Sequence, residues 1–274
     1  MIQENQLESS MVIKRITLAT LIFTLLGSIF ALCVLGFKIP WAIPLTPIIT
    51  FSSFIFSILH SSQIEGWIKT LFFVVLVVAA GLFFESLGVA TGLVYGPYHY
   101  SDQLGPKFLG LVPYLIPVAW TFMMYPSMVI AKALTPTRWG ILQRGITIAA
   151  LSGVIMTAWD VVMDPMMVYG GNWVWEVDGA YFGVPLQNFW GWWLTTFAAV
   201  GLFLLITRKM PVKIPLIPDR WAVWMYVMTG ATSFATCLIV GLHGPALAGL
   251  FAMLPWMVMG LIKTSKGEKG IQAL

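Results

Sequence analysis

Eight apolar stretches, each close to twenty residues long, succeed one another along this chain with short polar connections between them. A helix crosses the hydrocarbon core of a bilayer with about 20 apolar residues. In lipid every backbone N–H and C=O must find a partner inside the protein, so stretches of this kind fold as helices. They run over roughly 16–37, 41–60, 68–92, 109–133, 145–165, 189–207, 221–240 and 245–262. Only 9% of the residues are charged, against about 25% in a soluble domain. The expected fold class is therefore all-α: a polytopic membrane helix bundle of about eight transmembrane helices. It is expected to form one integral-membrane domain over 1–274 in the cell membrane, with a polar tail at 1–14 and a basic tail at 263–274. The last two stretches are joined by the short GLHGP, which demands a tight helical hairpin; a re-entrant hairpin there lowers the count.

The basic residues give an orientation. With the N-terminus in the cytoplasm, the inner segments hold Lys14, Arg15, Lys69, Lys132, Arg138, Arg144, Arg208, Lys209, Lys213, Arg220, Lys263, Lys266 and Lys269, and the outer ones only Lys38 and Lys107. A thirteen-to-two split follows the positive-inside rule and predicts both termini in the cytoplasm. No small-residue cleavage site follows the first stretch, so it is expected to stay as an anchor. Cys33 and Cys237 lie inside apolar runs, and neither they nor the three histidines make a disulfide or metal pattern. Basic clusters of the kind that bind nucleic acid are absent.

The carboxyl groups are out of place in such a chain. In TAWDVVMDP, Asp160 and Asp164 are four residues apart and share one helix face. The orientation above puts both, with Glu85 of the third stretch, in the outer part of the bilayer. Asp164 precedes Pro165, and a residue before proline disfavours helix, so the fifth helix is expected to stop or kink there. The two long outer loops, TGLVYGPYHYSDQLGP and YGGNWVWEVDGAYFGVPLQNFWGWW, follow these acids directly.

Acids inside a span are expensive and mark function more often than structure. Each feature also has a plain reading. The aspartates serve as a structural pair, and Glu85 as a solvated interfacial residue. Trp173, Trp175, Tyr181, Trp190, Trp192 and Trp193, with Tyr95, Tyr98 and Tyr100, serve as an interfacial belt. Asn188 caps the sixth helix. His99 is a loop histidine, and His60 and His243 are structural. The weight lies in the convergence. Phosphate-binding loops, aspartate-rich prenyl-diphosphate motifs, histidine clusters, haem motifs and Ser/His/Asp arrangements are all missing. Carboxyl chemistry in an apolar, aromatic-lined site remains. Burial and a like-charged neighbour favour the protonated form of a carboxyl. Such an acid suits proton addition to an alkene, with aromatic faces and a second carboxylate stabilising the cation. Added water completes a hydration; proton loss completes an isomerisation or a cyclisation.

At these residues the chain resembles a known family. FFESLGVATGLVYGPYHYSDQLGPKFLGLVP, AWDVVMDPMMV and YFGVPLQNFWGWW are similar to segments of the carotenoid hydratase family of the CruF type, which includes the bisanhydrobacterioruberin hydratases. The resemblance covers roughly residues 80–195. It implies an integral-membrane enzyme of carotenoid biosynthesis, working without cofactor or metal. The implied reaction adds water to the terminal C1–C2 double bond of an acyclic carotenoid end. It also implies a long-chain carotenoid drawn from the bilayer, surrounding lipid, and other carotenoid-biosynthesis enzymes as neighbours. The expected catalytic groups are Asp160, Asp164 and Glu85, with Asp160, the deeper, as general acid and Asp164 ionised. Both aspartates are expected to face one cavity, and Glu85 to approach them. Tyr95, Tyr98, Tyr100, Trp159, Trp173, Trp175, Asn188 and Trp192 are expected to hold the substrate. The competing readings are cyclisation or isomerisation of the same end, and proton-coupled transport of a lipophilic molecule. Transport predicts inverted repeats with paired broken helices, and the sequence shows no internal repeat.

Overall fold

The structure is a computed structural model that describes residues 2–211, 213 and 215–271. Its eight helices are α1 (Ile2–Gly36), α2 (Leu45–Ile64), α3 (Trp67–Thr91), α4 (Leu115–Leu134), α5 (Ile141–Tyr169), α6 (Leu186–Thr207), α7 (Arg220–Ile239) and α8 (His243–Ile271). All eight contain a segment long and apolar enough to cross a membrane; in α1 it is Met11–Gly36 and in α8 His243–Ser265. The chain is an all-α bundle of eight candidate membrane spans.

Exposure orders the bundle. In α4, 83% of the apolar window is buried, against 17% in α1. The first is the hub, packed against α2, α3, α5, α7 and α8. The second is a peripheral helix on α2 and α7. Small residues let helices approach closely in lipid: a Cβ on Gly249 of α8 would lie 2.3 Å from Val162 of α5.

Two expectations are corrected. The fifth helix does not stop at Asp164; it continues through Pro165 to Tyr169. Proline removes the hydrogen bond to the carbonyl four residues back, which here belongs to Val161. The hydroxyl of Tyr181 donates to that carbonyl at 2.9 Å, so the freed acceptor keeps a partner. Proline 126 inside α4 is treated alike, its freed Phe122 carbonyl meeting the Ser57 hydroxyl at 3.4 Å. The fourth span starts at Leu115, not at 109, because KFLGLVP folds into a hairpin of β2 (Lys107–Phe108) and β3 (Val112–Pro113). The α7–α8 connection is the tight hairpin that GLHGP demands, with Gly241 at φ +85°.

The two long loops are not loose. Residues Tyr98–Tyr100 form β1 and Trp173–Trp175 form β4, paired antiparallel with Tyr98 opposite Trp175 and Tyr100 opposite Trp173. Successive side chains of a strand point to opposite faces. All four rings therefore lie on one buried face of the ribbon, and His99 and Val174 on the exposed one.

Candidate active site

The ribbon lines a cavity of about 440 Å³ in the bundle. Its wall includes Glu85 of α3, Trp120 of α4, Trp159 and Asp164 of α5, and Asn188 and Trp192 of α6, together with Tyr95 and the four ribbon rings.

Glu85 is buried and ringed by donors. Trp120 Nε1 donates to Oε1 at 2.9 Å, and the hydroxyls of Tyr100, at 2.8 Å, and Tyr98 donate to Oε2. Asp164 has a matching set. The Nε1 groups of Trp173 and Trp175 donate to Oδ1 at 3.0 and 3.1 Å. The amide of Asn188 donates to Oδ2 at 2.7 Å. That same amide nitrogen donates at 2.7 Å to Oδ2 of Asp160. Asp160 differs from the other two acids, because its Oδ1 has no partner among the described residues.

None of these three carboxyls pairs with a base among the described residues; every donor is neutral. Glu65, at the end of α2, is the contrast. Burial works against its charge, yet Lys132 and then Lys69 hold its carboxyl below the usual range. The chain pairs a half-buried carboxylate with lysine at Glu65, and among the described residues places no lysine beside the carboxyls of the cavity.

Three indoles make the floor. Trp120 stacks on Trp192 with centroids 4.2 Å apart, and Trp159 meets Trp192 edge-on at 5.8 Å. Their faces are negative and can attract a cation. Tyr95 is clamped beside them: a Cβ on Gly88 would lie 2.6 Å from its ring, and one on Gly191 2.4 Å. That contact explains the glycine three residues after Glu85 and the one before Trp192. The Tyr95 hydroxyl bonds Thr195 at 2.7 Å. Outside the spans, burial first and the Glu85 carboxylate second push the phenols of Tyr95, Tyr98 and Tyr100 well above their usual range. They stay protonated as donors.

Every residue that the sequence singles out for the site lines this cavity except Asp160, which is fully buried and bonded to Asn188. The two aspartates therefore do not both face it. Asn188 is not the cap of α6 either: the cap position is Pro185, and the Asn188 amide instead bridges the two acids. Trp190 remains an outward-facing residue, 58% exposed. His99 pairs with Glu176 at the surface. His60 lies elsewhere in the bundle, bonded to Tyr125 and to the Pro218 carbonyl. Sequence reasoning missed Trp120, which carries no local motif; only its depth in the fourth span hinted at it. It also missed the strands, although Y-x-Y and W-x-W have the period of a ribbon face.

Comparison with known proteins finds a family match and a curated relative. The family described as carotenoid biosynthesis protein matches residues 44–255, from the start of α2 into α8. A bisanhydrobacterioruberin hydratase of Haloarcula japonica is 37% identical over 121 residues, 43% of this chain and 39% of that protein. The match thus spans less than half the length of that relative. No solved structure matches the chain. By the extent of the family match, this chain belongs to the carotenoid biosynthesis protein family.

Proposed function

We propose that this chain is a carotenoid 1,2-hydratase, adding water to the terminal double bond of an acyclic carotenoid end. The observation that carries the reading is the pair of buried carboxyls on one cavity wall, each held by neutral donors, above a floor of indoles. The family and the hydratase relative point the same way.

The steps balance as an acid-catalysed hydration. A proton adds to C2, leaving a tertiary cation at C1. Water attacks C1, and the proton it releases returns to the carboxyl that gave one. Three N–H groups hold Asp164, and none of them can accept a hydrogen bond. Asp164 is therefore the ionised group facing the cation. Glu85 is the proton donor and acceptor, because the hydroxyls of Tyr98 and Tyr100 can reverse their hydrogen bonds and an N–H cannot. Asp160, with one donor and an unpartnered Oδ1, keeps a proton and limits the aspartate pair to one charge. This moves the acid from Asp160, expected from depth alone, to Glu85, which reaches the cavity. The apolar wall takes the polyene end, and the rest of the molecule lies in lipid.

Expression beside an acyclic carotenoid pathway tests the reading. The expected product is heavier by one water for each hydrated end. An unchanged carotenoid profile with the protein present in the membrane contradicts it, and a ring at the chain end points to cyclisation.

A further inference from the structure

The cavity reaches well past the carboxyls, and contacts between helices give its depth. Helices α5 and α7 run side by side at a near-constant offset: Trp159 Nε1 donates to the Ser233 hydroxyl and the Cys237 thiol to the Val162 carbonyl, pairs 74 and 75 positions apart. Asp164 therefore lies level with residues 238–239 of α7. A Cβ on Gly36 of α1 would lie 3.7 Å from Ile239, so the last turn of α1 is at the same level. From there the cavity wall continues along both helices, back to Thr24 on α1 and to Met228 on α7. At about 1.5 Å per residue, this arm runs roughly 17 Å beyond the level of the acid. Thr24 is near the middle of the span Met11–Gly36, and Met228 near the middle of Arg220–Ile239. The acid thus sits at the end of the spans, and the arm leads from it to their midpoint.

The wall of the arm is predominantly apolar. Thr24, Ser53, Thr229 and Thr232 line it, and each hydroxyl donates to a carbonyl four residues back on its own helix. Hydroxyls spent in this way leave small side chains that make room without asking for a polar partner. Leu32, Ile49 and Met228 add hydrocarbon. At the deep end Thr24 bonds Ser52 at 2.9 Å, which holds α1 onto α2.

A reacting end must lie at the carboxyls, which stand at one end of the arm. The chain behind that end has two ways to go: past the ribbon toward the membrane surface, or along the arm toward the midpoint of the spans. Hydrocarbon is driven out of water, and only the second path keeps it among apolar groups. We propose that the arm between α1, α2 and α7 binds the stretch of polyene behind the reacting end, and so makes the site selective for long acyclic polyenes over short isoprenoid alkenes with the same end. The proposal rests on the hydratase reading for which end reacts.

The test is a series of acyclic isoprenoid alkenes that share one end and lengthen by one isoprene unit at a time. They are supplied to the full chain in detergent, with concentrations taken as mole fractions in the micelle so that partitioning cancels. In the wild type kcat/KM should rise with length until the arm is filled and then level off, because a chain held in the arm orients its end at the acids. Thr229→Phe, near the deep end on α7, and Ser28→Phe, on the α1 wall, should each lower the long-to-short ratio of kcat/KM about tenfold, the scale of overfilling a packed interior. A wild-type series with no dependence on length overturns the arm. An equal loss on short and long alkenes in both variants also overturns it, since the reacting end itself would then occupy the arm or the positions would be structural. An unchanged ratio in both folded variants does the same. The wild-type series decides even where neither variant folds. If no alkene is hydrated, the hydratase reading falls, and the same series read as binding by tryptophan fluorescence decides the arm separately: affinity that rises with length and levels off keeps it, and affinity independent of length removes it.

Discussion

Tyr98 and Trp175 face each other across the two-stranded ribbon, rings 5.0 Å apart, and each ends on a different acid: Tyr98 on Glu85, Trp175 on Asp164. One pair of strands thus sets the spacing of two carboxyls that belong to different helices. Trp175→Phe keeps the ring contact and removes the N–H. It should lower turnover about tenfold, the scale of a lost hydrogen bond to a charged group, without changing the amount of folded protein. Unchanged product formation by this variant in membranes makes the ribbon a cover with no part in holding Asp164.

Asn188 is the only residue among those described that donates to both aspartates. Asn188→Leu fills similar space and leaves two buried carboxyls without that donor. A buried group left unsatisfied costs about 1–3 kcal/mol. The variant should unfold in detergent at a lower temperature than wild type, and Asp160→Asn made in the same background should restore part of the loss. No fall in the midpoint contradicts the bridging role.

The raised phenols give a pH prediction. A folded-state value above the unfolded one, about 10 for tyrosine, stabilises the fold fully below that pH. The contribution is lost as pH rises through the interval to the folded value. Tyr95, Tyr98 and Tyr100 act in this way, and burial also pushes Tyr181 up to about 12. Phenolate absorbance of Tyr95, Tyr98 and Tyr100 should appear only with cooperative unfolding, and that of Tyr181 only toward pH about 12. Ionisation of all eight tyrosines near pH 10 in folded protein contradicts their burial.

Topology is tested separately. The basic residues predict that the ribbon lies on the outer side and both termini in the cytoplasm. A single cysteine at Asn172, beside β4, should react with an impermeant thiol reagent in intact cells. Reaction only after the cytoplasmic side is opened reverses the orientation.

Much of this was legible in the chain because lipid enforces it. Eight apolar runs give eight helices, since backbone in lipid has few alternatives. The acids stood out because burying a carboxyl in a span is costly. What stayed hidden was tertiary. The helix runs on past Asp164, and Tyr181, sixteen positions after Pro165, supplies the missing donor. The Asn188 amide looked like a cap, since its partners lie 24 and 28 residues away on another helix. The retreat of Asp160 from the cavity wall depends on how α5 rotates against α6, and Trp120 on how α4 rotates toward α3. Sequence spacing fixes neither.

The most direct measurement is isotopic. Membranes containing the chain are supplied with an acyclic carotenoid in oxygen-labelled heavy water, and the product is analysed by mass and by position. Hydration through a C1 cation predicts one solvent oxygen at C1 and one solvent deuterium at C2 of each converted end, with Glu85→Gln slower by about a hundredfold or more. Product formed at the wild-type rate by Glu85→Gln contradicts the proton donor assigned here. Product that carries no solvent oxygen contradicts the hydration itself.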